Sequence, residues 1–260
     1  MIHAALSSSA LSGGTTQRVL ETAARAGLKG VEWTDLGYVP VGDMAVASET
    51  MMATLRTSLS TVSYATPFRA GIDDRAAFKM VLATACGLNT PVLSLTASPA
   101  VHQQELEAKT FMVEARYMGD EAARLGITLC FGIHPGSLLD SYQSAASLFA
   151  AIDHPFVKIA WEPPVGASFD EAMESFSCVS GQIGLLYIKA GTIGGQNDDK
   201  SEEWLHYLDA YDEQGGSPDM ARNVVIRSMG GVDSSCLASD VKLIDEWSVT
   251  LRRYHRRRVL

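Results

Sequence analysis

Short apolar runs alternate along this chain with longer segments whose apolar residues recur at helical spacing. The clearest instance spans Leu125 to Pro164. Ile127 to Ile133 is apolar and β-rich and stops at His134-Pro135-Gly136, a turn signal. Asp140 stands where an N-cap belongs, ahead of Tyr142, Ala146, Leu148, Phe149 and Ile152 at roughly helical spacing. Val157 to Trp161 is apolar again and ends at Glu162-Pro163-Pro164, where a strand ladder must stop because proline cannot donate. The whole stretch reads as strand, helix, strand, each strand ending on a polar or titratable group.

The same unit recurs. An Ala-rich helix, a glycine and an apolar run appear in AARAGLKGVEW, ATACGLNTPVLSL and AARLGITLCF, and more loosely in VSGQIGLLYIK. Gly27, Gly87, Gly126 and Gly181 suit the left-handed conformation that ends a helix. The run after each glycine does not alternate clearly, as expected of a strand buried on both faces of a parallel sheet. Strands are predicted at about 2–6, 30–33, 59–64, 91–96, 127–133, 157–161, 183–188 and 223–227. Helices are predicted at about 15–26, 46–56, 73–86, 103–125, 140–152, 169–178, 200–213 and 234–254, the last with Leu237, Val241, Ile244, Trp247 and Leu251 as its inner stripe. Eight β-α pairs in 260 residues fit an α/β fold of the (βα)8 TIM barrel type, one domain over 1–260. An open doubly wound sheet fits less well, since no glycine-rich dinucleotide fingerprint follows the first strand.

Composition narrows the partners. Hydrophobic residues make up 47% and charged residues 20%, and no apolar run approaches the length of a membrane span. The first residues, MIHAALSSSA, lack the basic start and apolar core of a signal peptide and read as a first strand. Cys86, Cys130, Cys178 and Cys236 are scattered without a CxxC pair, which points to reduced thiols in a cytoplasmic protein. The net charge is −9 although five arginines crowd RRYHRRRVL at the end, so neither nucleic acid nor membrane is an expected partner. That basic tail reads as a solvated helix end, and a contact within a homo-oligomer stays open.

Four segments resemble the xylose-isomerase-like barrel superfamily, which includes sugar phosphate isomerases, epimerases and endonuclease-IV-like proteins. GLKGVEW at 27–33 resembles the second strand, GITLCFGIHPGSLLDS at 126–141 the fifth with its turn, VKIAWEPP at 157–164 the sixth, and LLYIKAG at 185–191 the seventh. The resemblance implies the barrel fold and a divalent metal held by Glu, Asp, His and Glu at the ends of strands five to eight. Here those places fall to Gly132, Glu162, Tyr187 and Arg227. Glycine has no ligand atom, a neutral phenol is a poor ligand, and arginine stays protonated. No metal and no cofactor is therefore expected.

By strand alternation Glu32, His134, Glu162, Tyr187, Lys189 and Arg227 all point to the C-terminal rim, where such barrels do their chemistry. Isomerisation and epimerisation need a base beside a carbonyl and positive charge for the enediolate. Glu162, His134 and Lys189 are the catalytic candidates; Arg227, Glu32 and Tyr187 are the substrate-binding candidates. Four of them have a plainer alternative: Glu162 as ion-pair partner of Lys189 or Arg227, His134 as a turn residue, Tyr187 as packing, Glu32 as a loop cap. The glycines of AGTIGGQNDD could wrap a phosphate, form a lid, or simply connect. The expectation is a sugar phosphate isomerase or epimerase-like protein acting on a small sugar, sugar phosphate or sugar acid without a metal. The alternative is a non-catalytic carbohydrate-binding or regulatory protein on the same barrel.

Overall fold

The computed structural model describes residues 2–11, 13–97, 104–193, 198–214, 222–228 and 234–258. Its strands are β1 (Ile2–Ser7), β2 (Gly30–Thr34), β3 (Ser60–Ala70), β4 (Val92–Ala97), β5 (Thr128–Gly132), β6 (Val157–Trp161), β7 (Ile183–Lys189) and β8 (Arg222–Arg227). All neighbours pair in parallel, and β8 returns to β1 to close the barrel. The helices are α1 (Thr16–Arg25), α2 (Met44–Arg56), α3 (Arg75–Gly87), α4 (Gln104–Ala123), α5 (Tyr142–Ile152), α6 (Phe169–Cys178), α7 (Asp198–Glu213) and α8 (Ser234–Arg258). The (βα)8 architecture read from the periodicity is the observed one.

Local chemistry sets most boundaries. Thr15, Asp43 and Asp74 cap α1, α2 and α3 by accepting from the backbone N–H three residues on. Ser141, not Asp140, caps α5. Its hydroxyl accepts from Ser144 N at 3.1 Å, while Asp140 accepts from the Ser144 hydroxyl at 3.0 Å. Gly27, Gly126 and Gly181 take positive φ as expected. Gly87 does not: it closes α3, and Asn89, at φ 53°, makes the left-handed turn. A Cβ at Gly87 would meet Met44 Cε at 3.0 Å and Ala47 Cβ at 3.1 Å, so this glycine serves the close packing of α2 on α3.

The main core lies between barrel and helices. Trp33, Tyr64, Phe131 and Trp161 point outward from their strands and meet residues such as Phe78, Phe111 and Phe176. A smaller cluster fills the barrel itself: Ala5, Val62, Cys130, Ala160, Leu185, Tyr187 and Val225. It identifies the inward face of each strand. One irregularity matters for the site. Val31 pairs with Thr61 but Glu32 pairs with Ser63, so a bulge in β3 sends Val62 and Ser63 both towards the barrel axis. No described helix is long and apolar enough to cross a membrane.

Candidate functional site

Glu32 lies on the inward face of β2 and is wholly buried. A carboxylate there needs partners, and four donors supply them. Ser63, turned inward by the bulge, donates to Oε2 at 2.8 Å, and the Tyr187 phenol donates to the same oxygen at 2.7 Å. Arg227 donates from Nε and Nη2 to Oε1, each at 3.3 Å. Tyr187 and Ser94 are also bonded, at 2.8 Å. A phenol has one proton and a carboxylate only accepts, so the Ser94 hydroxyl supplies the proton of that second bond.

Arg227 lies over the Tyr187 ring, its Cζ 3.1 Å from the ring centroid. Burial opposes its charge, but the Glu32 and Glu162 carboxylates near it hold the guanidinium above its ordinary range. Tyr187 is raised well above an ordinary phenol, by burial first and then by Glu32, so it stays a neutral donor. Two of the five guanidinium N–H groups are spent on Glu32, and the side chain remains 31% exposed. Lys189 pairs in register with Arg227 and is exposed beside it.

The predicted site residues thus separate into two tiers. Glu32 and Tyr187 lie beneath the rim, where their accessible surface is nearly nil. Arg227 sits on top of them, and His134, Glu162 and Lys189 are exposed above the strand ends. The plainer alternative for Glu162, an ion pair with Arg227 or Lys189, is not the arrangement observed: the partner of Arg227 is Glu32, because the bulge and the inward phenol complete a cage around that carboxylate. Glu162 is instead fixed through its backbone, its carbonyl accepting from Tyr142 Oη at 2.6 Å. The His134 ring folds back over Gly132, whose absent Cβ would lie 2.7 Å from Nε2.

Sequence reading missed Ser63, Ser94 and Tyr142. Ser94 is two residues beyond inward Val92, so alternation could have found it. Ser63 is out of phase with Val62 and carries no such signal. In the loop after β7, the Gly191 N–H is donated to the buried Asp240 carboxylate at 2.7 Å, which removes it from any phosphate cradle. Gly194 and Gly195 lie outside the described residues, as do the side chains of the basic tail.

The fold has solved counterparts. A xylose isomerase-like TIM barrel protein from Mycobacterium smegmatis, in complex with magnesium, superposes with TM-score 0.71 at 12% identity, over 96% of this chain and 97% of that one. An AP endonuclease, family 2, from Brucella melitensis gives 0.69 at 18%, over 92% and 97%. The 3-keto-D-glucoside 4-epimerase YcjR from E. coli gives 0.70 at 11%, over 95% and 100%. The fold is that of the xylose-isomerase-like barrels. No protein-family model matches the chain, and no curated protein matches it in sequence.

The metal that the resemblance implies does not suit this site. At the four expected ligand positions Gly132 is covered by an imidazole, Tyr187 is a committed neutral donor, and Arg227 is a cation paired with Glu32. Glu162 alone offers a hard oxygen ligand, and one carboxylate does not replace the hydration of a divalent ion. Among the described residues no three His, Cys, Asp or Glu side chains converge on a point.

Proposed function

We propose that this barrel is a sugar isomerase or epimerase-like enzyme whose substrate is a small sugar acid or sugar phosphate. The observation that carries the reading is the fixed cation at the rim. Arg227 is held by Glu32 and the Tyr187 ring, has N–H groups to spare, and stands beside exposed Lys189. A guanidinium held in advance stabilises an oxyanion without reorganising during the reaction. It also recognises carboxylate and phosphate groups.

The chemistry follows from the residues around it. Glu162 takes the proton from the carbon beside a carbonyl, and the released electron pair moves onto the carbonyl oxygen. Arg227 and Lys189 hold the enediolate oxygens. His134 returns a proton to carbon, from the other side of the sugar in an epimerisation. One structural counterpart, an epimerase of a keto-glucoside, supports the reaction class. A second reading, a carbohydrate-binding protein without turnover, is favoured by the departure of the expected ligand positions from a metal-binding set.

Calorimetric screening of sugar acids, sugar phosphates and neutral sugars, followed by assays in excess chelator, tests both. The expected result is preference for the anionic ligands and turnover that survives chelation; binding without turnover would favour the second reading. Arg227→Met should weaken binding by about 2–5 kcal/mol, the cost of truncating one side of a desolvated charge contact. Unchanged affinity in a folded Arg227→Met protein would refute the cation site.

A further inference from the structure

We propose that Gly132 is a positioning residue: its missing side chain lets the His134 imidazole occupy the place that a side chain at 132 would fill in the mouth of the barrel. Cys130, two residues earlier on β5, belongs to the interior cluster, so position 132 faces the same way, inward at the rim. A Cβ built there would lie 2.7 Å from His134 Nε2, closer than real contacts allow, and a tight 3.2 Å from Cε1. Gly132 is not among the residues with positive φ, so its backbone does not require glycine. What it supplies is space.

The turn after β5 returns the ring to that space. His134 N donates to the Leu139 carbonyl at 2.9 Å, and the His134 carbonyl accepts from Ser137 N at 3.2 Å and Ser137 Oγ at 2.8 Å. With both backbone groups pinned, the ring's course is set by the turn and by the glycine beneath it. Gly132 pairs with Thr96 on β4 and Ala160 on β6, and Glu162 stands two residues beyond Ala160. An imidazole nitrogen therefore stands at the end of β5 in the rim that also carries Glu162. The placement stands on geometry alone; what the nitrogen does to a substrate rests on the proposed function.

The test is Gly132→Ala, read first by NMR of the histidine rings, with His134→Gln assigning the signal. The contact an Ala methyl would make is with the far end of a movable side chain, so the fold should hold while the ring is displaced. The expected result is an unchanged melting temperature, a shifted His134 ring resonance, and the other five histidines unmoved. With a substrate found by the screen, kcat should fall by up to about 100-fold, as for a displacement of about 1 Å of a reacting group. In a His134→Ala background the same change should have no further effect. Should Gly132→Ala not fold, Ser137→Ala releases the turn with the glycine intact and should move the same resonance. An unmoved His134 ring resonance in the folded variants would overturn the proposal. A displaced ring with unaltered turnover would support the positioning role and count against His134 in the proposed reaction.

Discussion

With two donors on each carboxylate oxygen, Glu32 has no direction left from which to bind a substrate. Its work is done through Arg227, which it neutralises and orients, and through Tyr187, whose ring carries the guanidinium. The pair is asymmetric: Glu32 is 0% exposed and Arg227 31%. Glu32→Gln would place amide hydrogens among donors and leave the arginine charge uncompensated. A loss towards the lower end of about 3–5 kcal/mol is expected, since solvent still reaches the arginine. Urea midpoints at neutral pH check this, and the Glu32→Gln, Arg227→Met double variant should lose less than the sum of the two single changes. Additive losses would mean that the pair does not couple.

At the scale of elements, the end of β6 is fixed by the helix that precedes it. Tyr142 opens α5 and bonds the last carbonyl before the Pro163-Pro164 turn, so the rim position of Glu162 depends on a residue of the preceding unit. The start of α6 carries a reciprocal cap, in which Ser168 accepts from Glu171 N while the Glu171 carboxylate accepts from Ser168 N and Oγ. Those bonds, the backbone one first, hold the Glu171 carboxyl below its usual 4.5. A lowered folded-state pKa means that the unfolded chain binds the proton more readily. The cap's contribution is therefore present at neutral pH and fades as pH falls through that range. Glu171→Gln should lower the urea midpoint at neutral pH, with the gap from the parent protein closing in acid. A gap that is constant with pH would show that the ionised carboxylate contributes nothing.

For the whole molecule, the buried phenols set an alkaline limit. Tyr64, Tyr142, Tyr187 and Tyr211 are all raised above the ordinary 10.0 by burial, and Tyr207 is pushed up to about 12. Above that ordinary value the unfolded chain releases phenolic protons that the folded barrel keeps. Stability should then fall as pH rises through about 10 to 11, and spectroscopic phenolate titration should lag in the native protein until it unfolds. Native-state ionisation near 10 for all eight tyrosines would contradict the burial of these five.

The division between sequence and tertiary structure falls along the range of the interactions. Helix spacing, strand runs and strand-terminating prolines act within a few residues, so the (βα)8 order, the span of β6 and most helix bounds were legible in the sequence. Alternation along single strands also placed Glu32, His134, Glu162, Tyr187, Lys189 and Arg227 at one rim. It could not rank them by depth. The bulge that turns Ser63 inward depends on how β2 and β3 register, and the choice of Glu32 over Glu162 as the partner of Arg227 depends on barrel closure across 195 residues of chain. Likewise Gly132 reads in the sequence as a missing ligand. Only the folded turn, by carrying His134 back over it, makes that absence a place for an imidazole.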